Sequence, residues 1–240
     1  MRNFFWIVCV ILVMGLLTGC GRNTDTQENS YVNFSSFKES RMKLPEKVEE
    51  TCLEVIGFSE GFDAVSGKGK RGFVHDKLSI PTHRIVKIEK HDVDGNGAIE
   101  EFALQEGGIT VNLDSQIIWQ SPNDWWIDYF FLGDTNNDGK LEVNLLVWKE
   151  GSFGPQKPFW IEEEGSEVRN HFFIFKLEDG RMKPVWHSSN LDDPNLCAAS
   201  FDVNSDGESE LITIEGSYTD TFKREESIWK WNGWGFTLVE

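Results

Sequence analysis

Three times the chain repeats one nine-residue pattern, Asp-x-(Asp/Asn)-x-(Asp/Asn)-Gly-x-x-Glu. The copies are Asp92-Val93-Asp94-Gly95-Asn96-Gly97-Ala98-Ile99-Glu100, Asp134-Thr135-Asn136-Asn137-Asp138-Gly139-Lys140-Leu141-Glu142 and Asp202-Val203-Asn204-Ser205-Asp206-Gly207-Glu208-Ser209-Glu210. Oxygen-bearing side chains at positions 1, 3 and 5, a glycine at 6 and a backbone carbonyl at 7 make a calcium-loop design. Alternate side chains converge on one point while the glycine allows a sharp turn. Repetition of the loop also implies a fold assembled from similar units.

An EF-hand requires a bidentate Glu at position 12 and a helix on either side. Position 12 is Ala103, Leu145 and Thr213, and the residues that follow, such as Val143-Asn144-Leu145-Leu146-Val147-Trp148, are β-branched and partly alternating. Strands therefore flank the loops, and the acid at position 9 stands in for the one at 12. Three similar units follow. The first has strands expected at 84–90, 101–105, 109–113 and 116–121. The second has them at 126–132, 143–149, 171–177 and 182–188, and the third at 197–201, 211–215, 227–231 and 236–240. Asp179-Gly180 and Asn232-Gly233 are strong hairpin signals within them. Four antiparallel strands per repeat is the content of a propeller blade.

On these loops the chain resembles the FG-GAP/VCBS repeats, the calcium-loop blades of integrin-α-like β-propellers. The resemblance covers residues 84–240, and the loop carries it rather than the full consensus. It implies an all-β, β-propeller-like array of three four-stranded blades, to which residues 45–83 could add a degenerate N-terminal blade. It also implies Ca²⁺ as the cofactor. The first ion would be held by Asp92, Asp94, Asn96, Glu100 and the carbonyl of Ala98. The second would be held by Asp134, Asn136, Asp138, Glu142 and the carbonyl of Lys140, and the third by Asp202, Asn204, Asp206, Glu210 and the carbonyl of Glu208.

The N-terminus reads as an address. Arg2 precedes an uncharged apolar run from Phe4 to Leu17 that is too short to span a bilayer and fits the core of a signal peptide. It ends in Leu17-Thr18-Gly19-Cys20, which resembles a bacterial lipobox, so lipidation is expected at Cys20 after removal of residues 1–19. Residues 20–44, rich in Asn, Ser and Thr, read as a flexible tether. The expected location is the bacterial cell envelope, outside the cytoplasm, with the membrane reached through the lipid alone. Cys52 and Cys197 would then form a disulfide or remain as two buried thiols, and the sequence leaves both open. A net charge of −17 argues against nucleic acid as a partner and suits cations.

Other strings yield little chemistry. Gly57-Phe58-Ser59-Glu60-Gly61 matches a nucleophile elbow and Gly67-Lys68-Gly69-Lys70-Arg71-Gly72 a dinucleotide fingerprint, but neither opens a helical stripe, and both read as turns. The insertion at 151–170 in the second unit carries Phe153, Phe159 and Trp160 as candidate ligand-stacking residues, beside Glu162-Glu163-Glu164. Among the tryptophans, Trp119, Trp148, Trp186 and Trp229 are expected between blades, and Trp125, Trp126, Trp231 and Trp234 at exposed ends. No catalytic set stands out. The expectation is a binding or adhesion module for a surface glycan or envelope protein. The alternatives are a scaffold subunit of an envelope complex and a polysaccharide hydrolase or lyase.

Overall fold

The β-branched and aromatic runs on either side of each acidic loop pair with one another as strands, leaving the loop as the connection. The computed structural model describes residues 86–152, 160, 165–220 and 222–239. The strands are β1 (Lys87–His91), β2 (Glu100–Gln105), β3 (Gly108–Leu113), β4 (Gln116–Gln120), β5 (Trp126–Gly133), β6 (Glu142–Glu150), β7 (Val168–Glu178), β8 (Arg181–His187), β9 (Asn195–Phe201), β10 (Glu210–Glu215), β11 (Glu225–Trp231) and β12 (Phe236–Leu238). They form three four-stranded antiparallel sheets in sequence order, β1-β2-β3-β4, β5-β6-β7-β8 and β9-β10-β11-β12. Among the described residues there is no helix. All twelve strands lie where the sequence pattern places them, the largest changes being a start three residues later for β1, at Lys87, and three residues earlier for β7, at Val168. The leader, Cys20, the tether, the 45–83 segment, both glycine-rich strings, Cys52, Phe153 and Phe159 lie outside the described residues.

The second sheet sits between the other two. Val143, Leu145 and Val147 of β6 and Phe173 and Phe175 of β7 face Phe102, Leu104, Ile109 and Val111 of the first sheet. On its other face Leu146, Phe172 and Ile174 meet Ala198 and Leu211 of the third. Burial on both faces explains why β6 reads as an apolar run rather than a clean alternation: only its last residue escapes full burial. Between Val143 and Trp148 one polar side chain lies within that run. Asn144 is fully buried, accepting from Thr135 Oγ1 at 2.8 Å and donating to Gly133 O at 3.2 Å, so it joins strand to loop without leaving an unmet polar group.

Two tryptophans correct the sequence expectation. Trp125 and Trp126 are buried rather than exposed at a strand end. Trp125 packs edge-on against Phe173 at 5.0 Å. The indole N–H groups of Trp126 and of Trp148 both donate to the carboxylate of Asp128, itself buried. The local pattern hid this, because the partner is a carboxylate facing inward from β5. Trp231 is half-buried against Trp186 and Phe236. Trp234 stays exposed, and Trp119, Trp148, Trp186 and Trp229 pack between sheets as expected.

Cys197 on β9 is buried and disulfide-bonded, which removes the free-thiol reading for it. His171 and His187 lie near Phe173. Burial, then the nearby charge of Lys149, pushes both imidazoles down to about 4, so they are neutral at pH 7.

Glu106 and Gly107 both take positive φ in the two-residue turn joining β2 and β3, the geometry that matches strand twist. A Cβ on Gly107 would meet the Trp126 ring at 2.4 Å. Gly107→Ala therefore adds overpacking to a left-handed backbone strain, and should lower stability by about 2–4 kcal/mol in urea unfolding.

Candidate metal centre

Each acidic loop is built by the same hydrogen bonds. The glutamate at position 9 opens the second strand of its sheet and turns back, so that Oε2 accepts the N–H of position 2. The donors are Val93 to Glu100 (3.0 Å), Thr135 to Glu142 (2.9 Å) and Val203 to Glu210 (3.1 Å). Oδ2 of the aspartate at position 1 accepts the N–H of the glycine at position 6, at 2.9 Å in all three copies. The side chain at position 5 accepts the N–H of position 7: Asn96 from Ala98, Asp138 from Lys140, Asp206 from Glu208. Left-handed backbone at position 6 (Gly97, Gly139, Gly207) lets the loop close. Position 4 is left-handed too, as Gly95, Asn137 and Ser205. The sequence motif leaves that position unassigned, although Gly and Asn there are its signal.

These bonds occupy one carboxylate oxygen and turn the other inward. Glu100 and Glu142 are fully buried, and Asp92 Oδ1, Glu100 Oε1 and Glu142 Oε1 are buried with no hydrogen-bond partner. In the first loop Asp92, Asp94 and Glu100 bring oxygens within 4.8 Å of one another, and Asp134, Asp138 and Glu142 do the same in the second. Calcium–oxygen bonds of about 2.3–2.6 Å span that separation across one ion. Buried carboxylate oxygens without donors are costly unless a cation meets them. The donor set, hard oxygens only, fits a hard cation; these side chains would hold it. Burial, with Asp138 and Asp134 adding to it, raises the Glu142 carboxyl to about 7, and burial raises Glu100 likewise.

The third loop has the same backbone bonds but balances its charge differently. Glu210 Oε1 accepts the Asn204 amide at 3.1 Å. Lys230, on β11, pairs with Glu208 at 2.9 Å and Asp206 at 3.3 Å. Asp206 is held below its usual carboxyl range, first by the Glu208 N–H and also by Asn204 and Lys230. Among the described residues, Asp202, Asp206 and Glu210 do not converge as the other two sets do. The corresponding position in the second sheet is Lys176, which lies one step past the Val143–Phe175 pair as Lys230 lies one step past Leu211–Trp229. Lys176 pairs with Glu178 instead, at 3.4 Å.

The second and third loops are also clipped together. Asn137 donates from Nδ2 to Ser209 O (3.1 Å) and accepts at Oδ1 from Ser209 N (2.6 Å), while Ser200 Oγ donates to Asp134 O at 3.2 Å. Trp160 is exposed. In the third unit Tyr218 folds back over the second sheet, accepting from Asn170 N (3.1 Å) and donating to Leu191 O (3.0 Å).

No family model, curated protein or solved structure matches this chain.

Two predictions follow from the loop chemistry. Calcium titration by calorimetry should find two ions per chain, and Lys230→Met should admit a third by freeing Asp206 and Glu208. In metal-free protein, Glu142 has a folded pKa above its unfolded value. Its contribution is complete below about pH 4.5 and lost as pH rises through 7. Glu142→Gln should therefore stabilise the EGTA-treated domain above pH 7 by about 1–3 kcal/mol in urea unfolding, while lowering its response to calcium.

Proposed function

We propose that this chain is a lipid-anchored, extracytoplasmic calcium-binding repeat protein of the FG-GAP/VCBS type. Its sheets act as blades of a small β-propeller-like array, and its role is to bind a surface glycan or an envelope protein. The observation that carries the calcium reading is the pair of buried, unpartnered glutamate oxygens, Glu100 Oε1 and Glu142 Oε1, each facing two further carboxylates. An ion there supplies the positive charge that those groups lack. Its role is structural: the same glutamate that would ligate it begins β2 or β6, so filling the site would fix the loop and the strand together.

The binding role is supported by the repeat scaffold with its unequal insertions, and by a lipobox-like N-terminus that would hold the domain at a membrane face. Extracellular calcium modules work at about 10⁻⁴–10⁻³ M, the regime such a location provides.

The test is the thermal melt of residues 21–240 in EGTA and across a calcium titration to about 10 mM, well above that range. A ligand that binds the folded state alone raises the melting temperature by mass action. A rise that magnesium does not reproduce, and that shrinks in Asp134→Ala, is the expected outcome. An unchanged melt would remove calcium from the account.

A further inference from the structure

Away from the acidic loops, a cleft of about 420 Å³ opens between the second and third sheets. That is within the roughly 300–1,000 Å³ typical of small-ligand sites. Its walls are aromatic: Phe172 and Trp186 from the second sheet, Trp229 and Phe236 from the third. The rings are braced by one another, Trp186 standing edge-on to Phe236 at 5.3 Å and Phe236 to Phe172 at 5.9 Å.

The polar lining is one-sided. It contains Asp192, Asp193, Glu215 and Glu225 and no Lys, Arg or His. Lys223 stands beside it and pairs with Asp193 (2.8 Å) and Glu225 (3.3 Å). Glu215 is held differently. Its Oε1 accepts from Thr213 Oγ1 at 3.1 Å and from the Trp229 indole N–H at 3.2 Å, so neutral donors fix its orientation without cancelling its charge. On the same cleft, Asn190 Oδ1 is buried with no hydrogen-bond partner. The site thus combines aromatic walls, a fixed carboxylate and an acceptor that needs a donor.

Each feature narrows the ligand. An anion would face four carboxylates against the single ammonium of Lys223. A divalent metal prefers several hard oxygens to indole walls. A neutral hydrocarbon would leave the Asn190 acceptor unmet. A cation among aromatic rings gains from their faces as well as from the carboxylate, and an acceptor in want of a donor favours a cation that carries N–H groups. We propose that this cleft binds a primary alkylammonium group, with Glu215 and Asn190 accepting its N–H bonds and Trp186 and Trp229 enclosing its alkyl stem. The group is available from two sources, a small free amine or the lysine side chain of a partner. Neither source requires calcium.

The experiment is a titration of the full mature chain in EGTA at constant ionic strength, followed by tryptophan fluorescence and calorimetry. Its ligands are n-butylamine, Nα-acetyl-lysine amide, tetramethylammonium, n-butanol and glucose. Saturable binding of the first two, at least tenfold tighter than of the last three, is expected. Tighter binding of the lysine amide assigns the site to a partner's side chain, and tighter binding of butylamine assigns it to a free amine. Glu215→Gln should weaken that binding at least tenfold and Asn190→Ala several-fold, with the folded circular-dichroism signal retained. Should one variant fail to fold, the other decides. The proposal is overturned if neither amine saturates below 10 mM, if tetramethylammonium, butanol or glucose binds as well, or if the folded variants bind like the wild type. Because calcium is absent throughout, these outcomes are independent of those that test the loops.

Discussion

A carboxylate buried at the first residue of a strand is the interaction on which each sheet depends. Glu100, Glu142 and Glu210 use one oxygen to accept the N–H of position 2 in their own loop, which sets where β2, β6 and β10 begin. Burying that charge is unfavourable unless something compensates the other oxygen. The chain meets the requirement in two ways. In the first two loops the oxygen is left facing other carboxylates, an arrangement that a divalent cation would complete. In the third, the Asn204 amide donates to that oxygen, and Lys230 of β11 pairs with Asp206 and Glu208 from outside the loop. Similar sequences thus give two loops whose carboxylates converge and one whose carboxylates do not.

The second sheet carries the strain of holding the array together. Its strands are largely apolar on both faces because both are covered, and two of the polar groups inside, Asn144 and Asp128, are held by hydrogen bonds. Its edge toward the third sheet is reinforced by Tyr218, which bonds to Asn170 and Leu191 and lies under the Arg169 guanidinium at 4.3 Å. The segment that follows β10 thus serves in part as packing.

Much of this was legible from the residues. Alternation and turn dipeptides located all twelve strands, since those signals depend on neighbours two to four residues apart. The loops were equally visible, because nine consecutive positions define them. What escaped notice acts across longer distances. Lys230 reaches Asp206 from the third strand of the sheet, and the motif alone cannot show that Lys176, similarly placed in the second sheet, is held by Glu178 instead. Trp125 and Trp126 resembled exposed strand-end residues because their partners, Phe173 and Asp128, are supplied by tertiary packing. The aromatic and acidic cleft is assembled from β7 to β12 and the connection between β8 and β9, so no single motif holds its key residues.

The clip between Asn137 and Ser209 sets a rule for how such repeats can be exchanged. Asn137 uses both ends of its amide on the backbone N–H and C=O of one residue, Ser209, seventy-two residues away in the next loop. The first loop has Gly95 at that position, with no side chain to offer, and the third has Ser205. The second repeat is therefore addressed to the third: a copy duplicated or recombined into another place would carry an asparagine with nothing to receive it. Sheets that look alike by their acidic loops are, by this one amide, ordered parts rather than interchangeable ones.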